Sequence, residues 1–236
     1  HPSLAYYVAS NESSEVTGTR ELLMKLDGTR GYQMQSECEG VHDGSPYKQV
    51  NPMQHYENTA SSRGSRVDGF NPEYGTPTLP TVEILKEMMD EKDLWPINRE
   101  VWDYLDGNGF HLMSTMYKEL VDNYGKSSSI EEFAQKGQFV GAINSKSIWE
   151  VWNYNKLDYG DRFCSGLLFW YHNCPVRQVS ARMWDWSLEP TASLYHTANA
   201  LEPLHVQFDY LKNTVSVIND YYKSFSNYTV MAQVYD

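Results

Sequence analysis

Runs of apolar residues that do not alternate with polar ones constrain this chain most. Leu4-Ala5-Tyr6-Tyr7-Val8-Ala9 is one such run, and Gly166-Leu167-Leu168-Phe169-Trp170-Tyr171-His172 is another. A strand buried on both faces reads this way, and such strands belong to parallel sheets covered by helices. Helical periodicity fills the space between. After a possible short helix at residues 20 to 26 and a second strand from Thr29 to Gln35, Val82, Leu85, Met88 and Met89 fall on one helical face. A further helix is expected over 111–124, with Leu112, Met113, Met116, Tyr117, Leu120, Val121 and Tyr124 at three- and four-residue steps. Ser129-Ile130-Glu131-Glu132 has the form of a capping box, opening a helix whose apolar face runs through Phe133, Val140 and Ile148 towards Trp152. Strands alternating with helices indicate a parallel α/β arrangement. Residues 36 to 65, rich in Gly, Pro, Ser, Asn and Asp, are expected to hold little periodic structure.

The texture changes at Pro203. Residues 204–210, 214–218 and 228–234 alternate apolar with polar, the signature of antiparallel strands with one wet face. Three strands do not close a sandwich, so 203–236 reads as the opening of one. Likewise about four parallel strands make half of an eight-stranded barrel.

Composition excludes several function classes. A net charge of −12 is wrong for binding nucleic acid and disfavours an anionic membrane surface. No run of about 18 apolar residues exists to span a bilayer. The chain opens on His1-Pro2-Ser3 without a basic, then apolar leader, so a signal peptide is either removed already or never belonged to this segment. Cys38, Cys164 and Cys174 have no metal-binding spacing and suggest no disulfide framework. The cysteines do not identify a compartment; a secreted or periplasmic location is the working expectation. His55, His172 and His205 lack zinc spacing, and neither a Gly-x-Ser-x-Gly elbow nor a phosphate-binding loop occurs. No metal or cofactor is expected. The 18 Tyr, 7 Trp and 8 Phe are a surplus that suits stacking on sugar rings, although core packing uses the same residues.

Two glutamates close apolar stretches: Glu12 after Asn11, and Glu73 in Gly69-Phe70-Asn71-Pro72-Glu73-Tyr74-Gly75. In a barrel of parallel strands, catalytic groups stand at the C-terminal strand ends. Two carboxyl groups converging there are the machinery of glycoside hydrolysis, about 5–5.5 Å apart when configuration is retained. The bland reading is two surface glutamates, with Asn11 a turn former and Trp170 a core residue.

Seven segments in order carry a resemblance. They are His1-Pro2-Ser3, the run into Asn11-Glu12, Asp27-Gly28-Thr29-Arg30, Gly44-Ser45-Pro46-Tyr47, Gly69 to Gly75 with Leu79-Pro80, Gly166 to Trp170 with Asn173 and Pro175, and Glu202-Pro203-Leu204-His205-Val206-Gln207. Together they resemble glycoside hydrolase family 2, in its β-mannosidase and exo-β-glucosaminidase branch, over nearly the whole chain; residues 90 to 160 are the least distinctive. The resemblance implies an α/β fold: residues 1–202 as the C-terminal half of a catalytic (β/α)8 TIM barrel, about strands four to eight, and residues 203–236 as the first strands of an immunoglobulin-like β-sandwich. It implies a retaining, exo-acting β-glycosidase with Glu12 as acid/base and Glu73 as nucleophile. Asn11 would bond the sugar 2-substituent and Trp170 would floor the terminal sugar. Tyr47 and Asn173 are further candidates for the pocket. The partners implied are an oligosaccharide or polysaccharide substrate and the remaining N-terminal part of the same enzyme. Two departures stand out: the first half of the barrel is missing, and the stretch from Glu12 to Arg30 is short. A non-catalytic carbohydrate-binding or structural fragment of a larger glycosidase is the alternative.

Overall fold

A computed structural model describes residues 1–38, 41, 47, 49–57, 69–106, 113–156 and 163–235, with the side chains of 118–122 set aside. The chain is mixed α/β. Strand β1 (Tyr6–Val8) is followed by helix α1 (Thr19–Leu26), β2 (Gly31–Gln33), α2 (Met53–Glu57) and β3 (Gly69–Tyr74). Helices α3 (Val82–Met88), α4 (Glu91–Leu94), α5 (Arg99–Tyr104), α6 (Ser114–Tyr124) and α7 (Ile130–Asn155) come next. Strand β4 (Cys164–Phe169), α8 (Ala192–Ala200), β5 (Leu204–Asp209) and β6 (Thr214–Asn219) complete the order.

The expected parallel pairing is present: β1 lies parallel to β2 and β3 parallel to β4. An isolated parallel bridge from Val41 to Phe70 sets the segment around residue 41 beside β3. Parallel neighbours need long crossovers, and the longest here contains α3 to α7 between β3 and β4. The expected helix over 111–124 begins at Ser114, Leu112 lying outside the described residues.

Helix α7 runs for 26 residues because two of its faces are buried, where the sequence reading named only one. Phe133 and Val140 join Leu79, Leu85, Trp102, Met113 and Met116 in one apolar core, while Ile148 and Trp152 pack with Tyr56, Tyr74 and Leu167 in another. Between them Gly141 faces Thr78 so closely that a Cβ there would overlap the threonine side chain. That contact seats the segment after β3 flush on the helix. At the N-terminus Ser129 Oγ accepts the amide of Glu132 at 3.2 Å, as the capping box requires. The return bond is displaced by one residue, Glu132 Oε2 accepting the Ser128 amide at 2.8 Å.

Within 36–65, expected to hold little periodic structure, the described residues include the five-residue α2, which buries His55 and Tyr56 and packs against α7. Two expectations need correction. The hairpin β5–β6 is antiparallel as expected, but its polar residues point inward: His205, Gln207 and Asp209 are buried, whereas Val206, Phe208, Val215 and Val217 are exposed. The polar face wins the inner position because it has partners there. His205 Nε2 meets Glu150 Oε1 at 2.8 Å and Gln207 Nε2 donates to the Glu150 carbonyl at 2.9 Å. Finally, 228–234 is not a strand; its residues are exposed and Asn227 turns the backbone at φ 65° just before it. Alternation makes a strand only where a neighbouring edge supplies ladder bonds.

Burial pushes the His55 pKa down from 6.5 to about 4, against a weaker upward pull from Asn144. The unfolded chain takes up this proton near 6.5 and the folded one refuses it until about 4, so stability falls as the pH is lowered through that interval. The loss reaches about 3 kcal/mol at the acid end. Urea midpoints at pH 7 and pH 5 should therefore differ less in His55→Gln than in the parent; equal pH slopes would refute the assignment. No helix among the described residues is long and apolar enough to cross a membrane.

Candidate active site

Two groups of residues stand at C-terminal strand ends. The first follows β1. The amide of Ser36, beyond β2, donates to the Ser10 carbonyl at 3.0 Å and prolongs the parallel ladder. The Ser36 hydroxyl then accepts the Glu12 amide at 3.0 Å and donates to Asn11 Oδ1 at 3.3 Å. Glu12 adopts a left-handed backbone (φ 47°), which costs a non-glycine residue about 1 kcal/mol or more. Ser36 thus holds a turn that the residue itself disfavours, and leaves both Asn11 and Glu12 exposed.

The second group is built by an irregularity in β3. Asn71 pairs with Leu167 and Tyr74 with Phe169, so three steps along β3 match two along β4. Such a bulge breaks the alternation of side chains and re-aims one of them. Pro72, which has no amide to offer a ladder, sits inside it. Buried Asn71 closes the bulge by accepting the Glu73 amide on Oδ1 at 2.8 Å. The Tyr47 hydroxyl donates to Glu73 Oε1 at 2.6 Å and orients the half-buried carboxylate.

Trp170 packs on the phenol that holds this carboxylate. Its ring meets Tyr47 edge to face at 5.5 Å and Tyr171 likewise at 4.9 Å. Its amide donates to the Tyr74 carbonyl at 2.6 Å. Gly75 is required at the junction, because a Cβ there would overlap the Trp170 carbonyl. The Trp170–Tyr171 peptide is cis. A carboxylate held by a phenol that also packs on an indole can attack or stabilise an electrophilic carbon.

The structure therefore brings Tyr47, Glu73 and Trp170 into contact, and joins Asn11 to Glu12 through Ser36. Asn173 is exposed, bridged through its backbone to Trp184. Residues 44–46, which precede Tyr47, and Val67 and Asp68, which precede β3, lie outside the described residues.

Solved structures share this fold. The chain superposes on the exo-chitosanase CsxA of Amycolatopsis orientalis, in complex with PNP-β-D-glucosamine, with a TM-score of 0.78 at 22% identity over 93% of this chain and 28% of that one. For the β-D-mannosidase of Dictyoglomus thermophilum the TM-score is 0.70 at 14% identity, covering 93% and 29%. In sequence it is 25% identical to the exo-β-D-glucosaminidase of Amycolatopsis orientalis over 206 residues, 84% of this chain and 19% of that protein. It is 24% identical to the mannosylglycoprotein endo-β-mannosidase of Lilium longiflorum over 234 residues, 89% and 23%. In sequence the chain is similar to exo-β-glucosaminidases and β-mannosidases, and in fold to solved members of both groups. No family model matches it. It spans about a fifth of the length of these curated relatives.

Two residues of the candidate site escaped the sequence reading. Asn71 was visible inside the quoted Gly69–Gly75 segment, where an Asn-Pro pair within a strand signals a broken ladder. Ser36 carried no local signal, since its role depends on β2 lying beside β1.

Proposed function

We propose that the chain carries the catalytic centre of a retaining, exo-acting β-glycosidase that removes terminal β-linked mannose or glucosamine. The observation that carries this reading is Glu73 near the end of a parallel strand, at a bulge, oriented by Tyr47, which in turn packs on the Trp170 ring. Glu12 is the partner carboxyl, on the turn after β1 that Ser36 fixes.

In the first step Glu73 attacks the anomeric carbon. The bond to the leaving oxygen breaks with its electron pair, and Glu12 gives that oxygen a proton. The product is a glycosyl ester on Glu73. In the second step Glu12, now ionised, takes a proton from water as the water oxygen attacks the same carbon, and the ester bond to Glu73 breaks. Two inversions return the original configuration. Asn11 bonds the substituent at C2, Trp170 stacks under the terminal sugar, and Asn173 reaches the rim of the pocket.

The architecture we assign is the C-terminal part of a (β/α)8 barrel for 1–202 and the start of an immunoglobulin-like sandwich for 203–236. Parallel pairing of β1 with β2, of β3 with β4 and of Val41 with Phe70 supports the first assignment, with Glu12 after β1 and Glu73 in the last two residues of β3. The exposed apolar face of β5–β6 supports the second, because a sandwich buries that face against an opposite sheet. Exposed Tyr6, Val8, Leu22 and Leu26 suit cover by the remaining N-terminal part of the same enzyme.

The test is the product. Nuclear magnetic resonance of fresh hydrolysate from the full-length protein, with nitrophenyl β-mannoside and nitrophenyl β-glucosaminide as substrates, should show the β-anomer first. The α-anomer as first product would overturn the double displacement.

A further inference from the structure

We propose that Arg182 is a positioning residue for this site: by clamping the ring of Tyr171 it fixes Trp170, and through Trp170 the Tyr47–Glu73 pair. The inference rests on the glycosidase reading above.

Arg182 is completely buried. Its Nη1 donates to the carbonyls of Ser180 and Ala181 at 3.0 and 3.3 Å. Nε and Nη2 are buried with no hydrogen-bond partner among the described residues. A buried cation is costly; among the described residues no carboxylate pairs with it within 4 Å, and buried Asp106 supports its charge from farther off. The group set against the guanidinium is the Tyr171 ring, with Cζ 4.9 Å from its centroid. An aromatic face attracts a desolvated cation most strongly, and the attraction depends on the ring presenting that face. Burial lowers the Arg182 pKa, and Asp106 is among the neighbours that pull it back.

From Tyr171 the contacts continue without a gap. Its hydroxyl donates to Gln178 Oε1 at 2.6 Å, which leaves the ring little freedom to rotate. Tyr171 meets Trp170 edge to face, Trp170 meets Tyr47 edge to face, and Tyr47 donates to Glu73. Each edge-to-face contact has a preferred angle, so turning one ring costs the next. Arg182 stands at the buried end of this series and the Glu73 carboxylate at the other. Closing the loop between β4 and α8 does not need the charge. Backbone bonds such as Val179 N to Leu105 O at 3.0 Å and Thr191 N to Met183 O at 3.0 Å already do so.

The experiment is a double-mutant cycle in the full-length protein, reading kcat and KM on an activated aryl glycoside. Arg182→Met should raise KM about tenfold and lower kcat less, the size of one displaced aromatic contact. In a Trp170→Ala background the same change should add less than about twofold, because the two residues act in series. Arg182→Lys, which keeps a cation, should recover part of the loss. A full effect of Arg182→Met in the Trp170→Ala background, or an unmoved KM, would overturn the proposal. If Arg182→Met does not fold, Tyr171→Phe and Tyr171→Leu read the same link. Phe, which keeps the ring face but loses the Gln178 bond, should raise KM less than Leu, which loses both. Equal KM for both would also overturn it. A parent inactive on every aryl β-glycoside would remove the reading of the site, and this proposal with it. An active parent with additive variants would remove only the role of Arg182.

Discussion

Glu73→Gln in the full-length protein should lose turnover of an activated aryl glycoside by about 10⁴-fold or more, since no glycosyl ester can form on an amide. The loss should fall on kcat. Binding of the sugar to Trp170 and Asn11 does not require charge at position 73, and KM should move little. The fold should survive because the amide oxygen of Gln can still accept the Tyr47 hydroxyl, whose bond now runs 2.6 Å to Glu73 Oε1. Stability should change by less than about 1 kcal/mol, the ordinary net value of one such bond. Kinetics on a dinitrophenyl glycoside beside a thermal melt separate the two effects. A folded variant working within tenfold of the parent would show that Glu73 is not the nucleophile.

The second large effect belongs to Glu12→Ala, and it should depend on the substrate. A leaving group that departs readily as an anion does not need a proton, so the first step should survive and the glycosyl ester accumulate. A poor leaving group needs that proton, and its kcat/KM should fall on the order of 10³-fold, within the usual range of acid catalysis. Azide should restore turnover of the activated substrate, because it attacks the ester without help from a general base. Glu12→Gln, which keeps the side-chain length, controls for structural effects of the shorter alanine side chain. Equal losses on good and poor leaving groups in both variants would argue against the role.

Part of the fold was legible in the sequence. The run at 4–9 contains β1, the run at 166–172 overlaps β4, and Ser129 caps α7, although Tyr6, Val8 and Leu168 are exposed where the runs implied cover on both faces. The signal ran out where burial came from partners distant in sequence. Nothing near Met53 announced that α2 would bury His55 beside Asn144, and α4, α5 and α8 lack the length for clear periodicity. The hairpin misled for a related reason. Alternation shows that two faces differ but not which one is covered, and Glu150 drew the polar face of β5 inward. At the site, residue types and order pointed to Glu12 and Glu73, whereas Ser36 and Arg182 entered only through neighbours tens of positions or several rings away.

The seam between α7 and β5 bears on how this polypeptide can be divided. Severing it after residue 202 would deprive the buried Glu150 side chain of the imidazole it meets, leaving Lys146 at 3.4 Å as its counter-charge. It would also remove one acceptor of the Tyr56 hydroxyl, the Phe208 carbonyl at 3.0 Å. The final strands are thus a brace for the long helix rather than a detachable appendage, and shortened versions designed for expression should keep them.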